Sequence, residues 1–149
     1  MTMSDPVSSV LLGKSSQIWS VSPDLSVYDA MKTMAEKDIG AVLVMTGRDL
    51  AGIMSERDYA RKVVLQGRAS RDTLVREIMS APPIVTGPAS TVDECMSLMT
   101  RYRIRHLPVV DGKEVVGIVS IGDLVNWIIS SHEKTIDSLQ QYISGSYPA

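Results

Sequence analysis

Two short polar signatures contain the residues of this sequence that are best suited to chemistry. They are Gly52-Ile53-Met54-Ser55-Glu56-Arg57-Asp58 and Gly117-Ile118-Val119-Ser120-Ile121-Gly122-Asp123. A serine at a helix start with an acidic residue three positions later is typical of a helix cap, in which the hydroxyl accepts from a first-turn amide. The same place also suits a phosphate, beside a carboxylate that accepts ribose hydroxyls, and glycine lets a ligand approach the backbone. The residues alone leave both interpretations open.

The two signatures belong to an internal repeat. Residues 23–61 align without gaps on residues 88–126, an offset of 65, and eleven of these 39 positions are identical. About two or three identities are expected by chance, and the shared positions here are helically spaced apolar residues, turn glycines and the Ser/Asp pairs. The chain therefore contains two copies of one structural unit.

Both copies predict the same order of elements, β-α-β-β-α. Apolar residues at i, i+3, i+4 and i+7 predict one amphipathic helix in each copy, at Val27, Ala30, Met31 and Met34 and at Val92, Cys95, Met96 and Met99. Runs at 39–45 and 50–54 predict a hairpin, which 104–110 and 115–119 repeat. Pro108 indicates a strand at a sheet edge or an irregularity. A short helix at 74–78 and a short strand at 84–85 are predicted to enter the second copy, as 7–12 and 17–21 enter the first.

One copy of about 60 residues buries too little surface to be stable alone. We therefore expect an α+β fold in which the two repeats pack sheet to sheet about a pseudo-twofold axis. The expected boundaries are 1–66 for the first repeat with its N-terminal segment, 67–131 for the linker and second repeat, and 132–149 for a C-terminal helix and tail. The three parts are expected to form one inseparable module.

Composition excludes several classes of protein. The chain is 44% hydrophobic, but no apolar run approaches the roughly 18 residues that a membrane helix needs, and no secretion signal is evident. A net charge of −2 argues against nucleic acid as a partner. Cys95, the single cysteine, occupies an apolar helix position and is predicted to be a small core residue, and two histidines cannot build a zinc site. These features predict a cytoplasmic protein.

The sequence resembles a pair of CBS domains, the repeat named after cystathionine β-synthase. The resemblance rests on the repeated signature, the element order and the run Ile104-Arg105-His106-Leu107-Pro108-Val109-Val110-Asp111, and it covers nearly the whole chain. Residues 55–62 and 141–145 are similar to stand-alone CBS-pair proteins of bacteria and plant organelles. An attached enzyme or transporter domain is therefore not expected.

The resemblance implies an adenosine-containing ligand in a cleft between the repeats: AMP in the first place, or ADP, ATP, NAD(H) or S-adenosylmethionine. It implies that the signature aspartates hold the ribose, with the serines near ribose and phosphate, and that basic residues before the second hairpin meet phosphate. The residues so implicated are Ser55 with Asp58, Ser120 with Asp123, and the basic pair Arg105 and His106. The first copy has Gly40 and Ala41 at the positions of that pair, a deficit that Arg57 and Arg61 partly offset. Ile18 and Ile84 are weaker candidates for adenine contact.

The function implied is that of a non-enzymatic regulatory module, an energy or nucleotide sensor whose ligand changes its interaction with an unidentified partner protein. The alternative is a ligand-independent scaffold for dimerisation or protein interaction, in which both signatures are only caps. An enzyme is disfavoured because no nucleophile, base and orienting acid can be named together. A C-terminal amphipathic helix carrying His132, Ile129, Ile136, Leu139 and Ile143 is predicted to contact a second chain, which predicts a homodimer.

Overall fold

The structure, a computed structural model, describes residues 4–14 and 17–144, and it describes the backbone alone at 132–139 and 141–144. The helices are α1 (Val7–Leu12), α2 (Val27–Lys37), α3 (Glu56–Tyr59), α4 (Val92–Tyr102) and α5 (Ile121–Ser144). The strands are β1 (Ser20–Val21), β2 (Ala41–Thr46), β3 (Asp49–Ser55), β4 (His106–Asp111) and β5 (Glu114–Ser120). The predicted mixture of helices and strands is confirmed.

Two small sheets contain these strands. In the first, β1 is parallel to β2 and β2 is antiparallel to β3, whereas β4 and β5 form a separate two-stranded sheet. Both hairpins turn at glycines in the left-handed region, Gly47 with φ 62° and Gly112 with φ 63°, which glycine adopts without strain. The residues that cap the C-termini of the preceding helices, Asp38 and Arg103, are also left-handed. The strands β2 and β4 therefore begin two residues later than the apolar runs predicted.

The short strand predicted at 84–85 is wrong, since only Thr86 forms a bridge there, to Val109. In the first copy, the Leu43 amide donates to the carbonyl of Trp19 (3.4 Å), which extends the pairing of β1 with β2. The position matching Leu43 is Pro108, which has no N–H and cannot donate to Ile84. Pro108 lies in β4, an edge strand as its presence predicted.

The chain divides into two compact units that interleave along the sequence. The unit that contains Asp58, here the Asp58 unit, comprises Gln17–Thr86 and Pro108–Gly117. The unit that contains Asp123, the Asp123 unit, comprises Met1–Ser16, Gly87–Leu107 and Ile118–Ala149. The predicted repeat boundaries at 66 and 131 stay a prediction.

The apolar stripes of the amphipathic helices build the core of each unit. In the Asp58 unit, Val27, Ala30 and Met34 of α2 are buried together with side chains of β2, β3 and the 3-10 turn Val75–Glu77, the short helix expected at 74–78. In the Asp123 unit, α4 buries the matching side chains Val92, Cys95 and Met99. The prediction that Cys95 is a core residue is confirmed.

In each unit, a separate segment of the chain lies against the start of the amphipathic helix. We call it the lead-in segment, residues 73–77 in the Asp58 unit and 5–14 in the Asp123 unit. In the Asp58 unit, the Val27 amide donates to the carbonyl of Thr73 (2.8 Å). In the Asp123 unit, the Val92 amide donates to the carbonyl of Asp5 (2.9 Å), which brings the chain's N-terminal helix α1 next to α4. This contact positions Lys14, two residues beyond the end of α1, for the site described below.

The C-terminal helix α5 is long, running from the second signature to Ser144. The side chains predicted to form its dimer face, apart from exposed Ile129, lie outside the described residues, as does part of the segment 141–145. Among the helices of the described ranges, none is both long and apolar enough to cross a membrane.

Candidate functional site

Both signatures form the helix caps that their spacing predicts. Ser55 Oγ accepts from the Asp58 amide (3.2 Å), and the Ser55 amide donates to Asp58 Oδ2 (2.9 Å). Ser120 Oγ accepts from the Asp123 amide (3.1 Å), and the Ser120 amide donates to Asp123 Oδ2 (2.8 Å). The two copies therefore share one local geometry, and each serine is half-buried.

The carboxylate of Asp58 is buried and engaged at both oxygens. Oδ2 accepts from the amide of Ser55 and also from its hydroxyl (3.1 Å). Oδ1 lies 3.0 Å from the ammonium of Lys62 and accepts from Ser80 Oγ (3.3 Å). Lys62 is held in place by a second bond to the carbonyl of Ile78 (2.9 Å). Asp58 therefore ties the first signature to the 78–80 segment of its own unit.

The carboxylate of Asp123 is more open, with 25% of its side chain exposed against 12% for Asp58. Its Oδ2 accepts from the Ser120 amide and from the ammonium of Lys14 (2.6 Å), and Lys14 also donates to the carbonyl of Ile118 (2.8 Å). Oδ1 accepts no hydrogen bond from the residues that the structure describes. Asp123 thus keeps one oxygen available.

Positive charge gathers around Asp123. The carbonyl of Arg105 accepts from the amide of Ile121, the first residue of α5 (2.8 Å), so Arg105 and its neighbour His106 lie beside the helix start. Arg105 is exposed, and His106 is half-buried. The 24-residue helix α5 directs the positive end of its dipole to the same place.

We call Lys14, Arg105, His106, Ser120 and Asp123 the Asp123 cluster. Burial and charge shift the pKa values of two of its groups. Burial lowers the pKa of His106 below its ordinary value; the charge of Asp123 acts in the opposite direction, and those of Lys14 and Arg105 act with burial. Burial raises the pKa of Asp123, but the bonds from Lys14 and the Ser120 amide outweigh it, so this pKa lies below its usual value. Asp123 is therefore an anion and His106 largely neutral at pH 7.

Sequence reasoning missed both lysines that bind the signature aspartates. Lys62 lies four residues after Asp58, a spacing that brings side chains together on a helix and was readable as an ion pair. Lys14 is 109 residues from Asp123, and no local pattern indicates that contact. The repeat alignment gives no help either, since the position matching Lys62 is Trp127.

The other predicted site residues lie in the Asp58 unit. Arg57 on α3 is half-buried, and Arg61 in the π-helical turn Ala60–Val64 is exposed. Ile84 is half-buried in the loop before Thr86, and Ile18, just before β1, has 38% of its surface exposed. The structure brings Arg105, His106, Ser120 and Asp123 together in one unit. Ile18 and Ile84 lie in the other.

Ile18 lines a cleft of about 860 Å³ in the Asp58 unit. Its lining combines apolar residues with residues of both charges, namely Ile18, Ser20, Leu43, Met45, Gly47, Arg48, Asp49, Asp111, Lys113, Glu114 and Val115. Neither signature aspartate lines it. This cleft is therefore separate from both capped carboxylates.

The expectation that Gly52 lets a ligand approach the backbone is wrong. A Cβ at Gly52 would lie 2.7 Å from the carbonyl oxygen of Ser80 and 3.0 Å from the sulfur of Met79. The strand residue Ile53 exchanges two backbone bonds with Ser80, at 3.1 and 2.9 Å, which brings the 79–80 segment against β3. The space beside Gly52 is filled by the protein itself.

The Asp123 cluster can accept hydroxyl groups at a carboxylate and attract an anion with its cations. Within the described residues, no group of three or more His, Cys, Asp or Glu side chains is arranged to hold a metal ion. The cluster thus combines the two recognition elements that a ribose phosphate needs, an acceptor and a positive field.

Comparisons with known proteins agree with the presence of two repeats. The CBS domain family matches residues 7–65 and 75–130. The mitochondrial CBS domain-containing protein CBSX3 of Arabidopsis thaliana is 42% identical over 154 residues, which cover 98% of this chain and 73% of that protein. The similarity therefore extends over most of both chains.

Solved structures show the same fold. A protein with CBS domains from Burkholderia ambifaria superposes with a TM-score of 0.82 at 52% identity, covering 85% of this chain and 95% of that one. The CBS domain pair of protein MJ0100, solved with 5′-methylthioadenosine and S-adenosyl-L-methionine, gives a TM-score of 0.76 at 25% identity, covering 85% and 98%. Two matched repeats, shared length and shared fold lead to one conclusion: this chain belongs to the CBS domain family, as a CBS domain pair.

Proposed function

We propose that this chain is a regulatory module that binds an adenosine-containing nucleotide at Asp123. The observation that carries the proposal is the available Oδ1 of Asp123 beside a helix start at which Arg105 and His106 also lie. The module acts by binding and catalyses no reaction. Its ligand changes how strongly it binds a partner protein.

The ribose is held by Asp123. Oδ2 is already oriented by the Ser120 amide, which leaves Oδ1 to accept from the two ribose hydroxyls. Hydrogen bonds to a charged group contribute about 1.5–3 kcal/mol each, enough to set the ligand's position. Ser120, whose hydroxyl caps α5, is assigned to ribose and phosphate by resemblance.

The phosphates are held by the positive field at the start of α5. Helix N-termini attract anions, and Arg105 adds a planar guanidinium that suits phosphate oxygens. A phosphate beside His106 favours its protonated form, which then donates a second charged bond. In the first copy, Gly40 and Ala41 occupy the matching positions and supply no positive charge.

The adenosine part of the ligand is supported by MJ0100, whose CBS pair was solved with two adenosine compounds. AMP is our first candidate, and ADP, ATP, NAD(H) and S-adenosylmethionine share the ribose that Asp123 recognises. Adenine contact is assigned to Ile18 and Ile84 by resemblance. Binding at Ser55 and Asp58, with Arg57 and Arg61, is also assigned by resemblance, and it requires displacing Lys62 and Ser80.

The regulatory output follows from coupling between ligand and partner. A ligand changes partner affinity only as far as it binds two states differently, typically by about 1–3 kcal/mol. We propose a homodimer as the assembly that responds, with the C-terminal part of α5 as contact. A cytoplasmic location is part of the proposal, although the Arabidopsis relative is named as mitochondrial.

Calorimetric titration with AMP, ATP and S-adenosylmethionine tests the proposal, using the wild type, Asp123→Asn and Asp58→Asn. Both variants remove one charge and keep the side-chain shape. We expect at least one ligand to bind the wild type, and Asp123→Asn to weaken it roughly 10- to 100-fold. Asp58→Asn should change the affinity less than about threefold. Absence of binding, or binding that Asp123→Asn leaves unchanged, contradicts the proposal, whereas any weaker second site at Asp58 should be lost in Asp58→Asn alone.

A ligand-independent scaffold is the second candidate, and the observation that favours it is that both signatures are complete caps. In that case the Ser/Asp pairs contribute only stability. The same titration separates the two functions, because a ligand-independent scaffold binds none of these nucleotides, in the wild type or in either aspartate variant.

A further inference from the structure

Lys14 is the residue of the Asp123 cluster that neither signature nor repeat predicts. It lies just after α1, and its ammonium donates to Asp123 Oδ2 at 2.6 Å and to the carbonyl of Ile118 at 2.8 Å. One-third of its side chain is exposed. The ammonium is thus anchored at the carboxylate of Asp123, on a side chain that stays partly exposed.

Lys14 has two opposite effects on a ligand. Its bond to Asp123 neutralises the carboxylate that the ribose needs, so a nucleoside without phosphate must compete with an ammonium for that group. Its charge, together with that of Arg105, also attracts an anion. An ammonium on a flexible four-carbon chain can turn from a carboxylate to a phosphate without backbone movement.

Lys62 in the Asp58 unit provides a natural contrast. It also binds a signature aspartate and a backbone carbonyl, at 3.0 and 2.9 Å. However, the positions that match Arg105 and His106 are Gly40 and Ala41, which carry no charge. The same lysine–aspartate pair is therefore structural in one unit and part of a cationic cluster in the other.

We propose that Lys14 makes the Asp123 site selective for nucleotides with phosphate over the bare nucleoside. The inference rests on the proposed function and names the residue that sets its ligand preference. A phosphorylated ligand gains a bond to the Lys14 ammonium and frees the carboxylate for the ribose. Adenosine has no anionic group that could replace Asp123 as the partner of the Lys14 ammonium.

The test compares adenosine, AMP and ATP by calorimetric titration of the wild type, Lys14→Met and Lys14→Arg. Lys14→Met should weaken ATP binding roughly tenfold, while adenosine binds equally well or up to several-fold more tightly. The ratio of ATP to adenosine affinity should therefore fall by at least tenfold. Lys14→Arg keeps the charge and should keep most of the preference.

Lys62→Met is the matched control, since it removes the corresponding ion pair of the other unit and should leave the affinity ratio within twofold of the wild type. Far-ultraviolet circular dichroism and a single unfolding transition establish that each variant folds. An unchanged ratio in Lys14→Met, with binding that still depends on Asp123, overturns the inference alone. A wild type that binds no nucleotide, or binding indifferent to Asp123→Asn, overturns the proposed function as well.

Discussion

The Asp58 and Asp123 pairs have the same backbone cap and different surroundings. In the Asp58 unit, the carboxylate is buried and takes bonds from Ser55, Lys62 and Ser80 at its two oxygens. In the Asp123 unit, one oxygen takes all the bonds from described residues, and the basic residues beside it outnumber the acidic one. A repeated signature therefore does not imply repeated surroundings.

The difference originates at a few positions of the repeat. Lys62, which supplies the cation to Asp58, corresponds to Trp127, whose indole N–H donates instead to Asp5 of the α1 lead-in (3.0 Å). The cation for Asp123 then comes from Lys14, at the other end of that lead-in. In one unit the ion pair lies within a single helical turn, and in the other it joins distant parts of the chain.

Removing each carboxylate should separate the two roles most clearly. Asp58→Ala should lower the free energy of unfolding by about 3 kcal/mol, because the buried carboxylate is the acceptor for Lys62, Ser80 and the Ser55 amide, and its removal breaks all of these bonds. Asp123→Ala should cost about 1 kcal/mol, since the carboxylate itself is more exposed, 25% against 12% for Asp58. Urea unfolding of both variants measures the difference. Equal costs would mean that the two carboxylates carry the same structural load.

Gly52→Ala tests whether the first signature is closed by its own chain. The added methyl group would meet the backbone oxygen of Ser80 at 2.7 Å, so we expect a loss of about 2 kcal/mol of stability. Gly122→Ala is the control in the second signature, where the nearest atom, Ser120 Oγ, is 3.5 Å away. That change should be neutral or slightly stabilising, since alanine favours a helix. A harmless Gly52→Ala would show that the 79–80 segment moves away readily.

Ser55→Ala and Ser120→Ala probe what the two copies share. Each removes a hydroxyl that accepts from the aspartate amide at 3.1–3.2 Å, so each should cost about 1 kcal/mol. Ser55→Ala should cost slightly more, because its hydroxyl also donates to Asp58. Thermal unfolding of both variants under one condition checks the comparison, and a cost confined to one serine would show that only one cap matters.

The smallest expected effect is on the pH dependence of stability, to which His106 contributes in a defined direction. Because the pKa of folded His106 lies below its ordinary value, the unfolded chain binds more protons between that lowered pKa and about 6.5. Stability should therefore fall as the pH decreases through this window. His106→Gln removes the contribution, so its unfolding free energy should vary less between pH 7.5 and 5. The groups that face His106, namely Asp123, Lys14 and Arg105, are unchanged in that variant. A steeper dependence in His106→Gln would contradict this assignment.

Much of the architecture was predictable because it depends on local patterns. The apolar stripe of Val27, Ala30 and Met34 and its repeat in α4 identify both amphipathic helices, and the serine caps follow from spacing alone. The absence of the strand expected at 84–85 was not predictable in the same way. It depends on Pro108, which lies 24 positions away along the chain and has no N–H to donate to Ile84.

The sequence by itself determined the repeat, its elements, the family and the four residues of the Ser/Asp pairs, because these depend on periodicity and on contacts within a few residues. Only the tertiary structure decided which carboxylate stays available. That outcome depends on contacts between distant segments: Ser80 reaches Asp58, and Lys14 reaches Asp123. Burial, hydrogen-bond saturation and local charge are properties of the folded surroundings, so two copies of one signature acquire different chemistry.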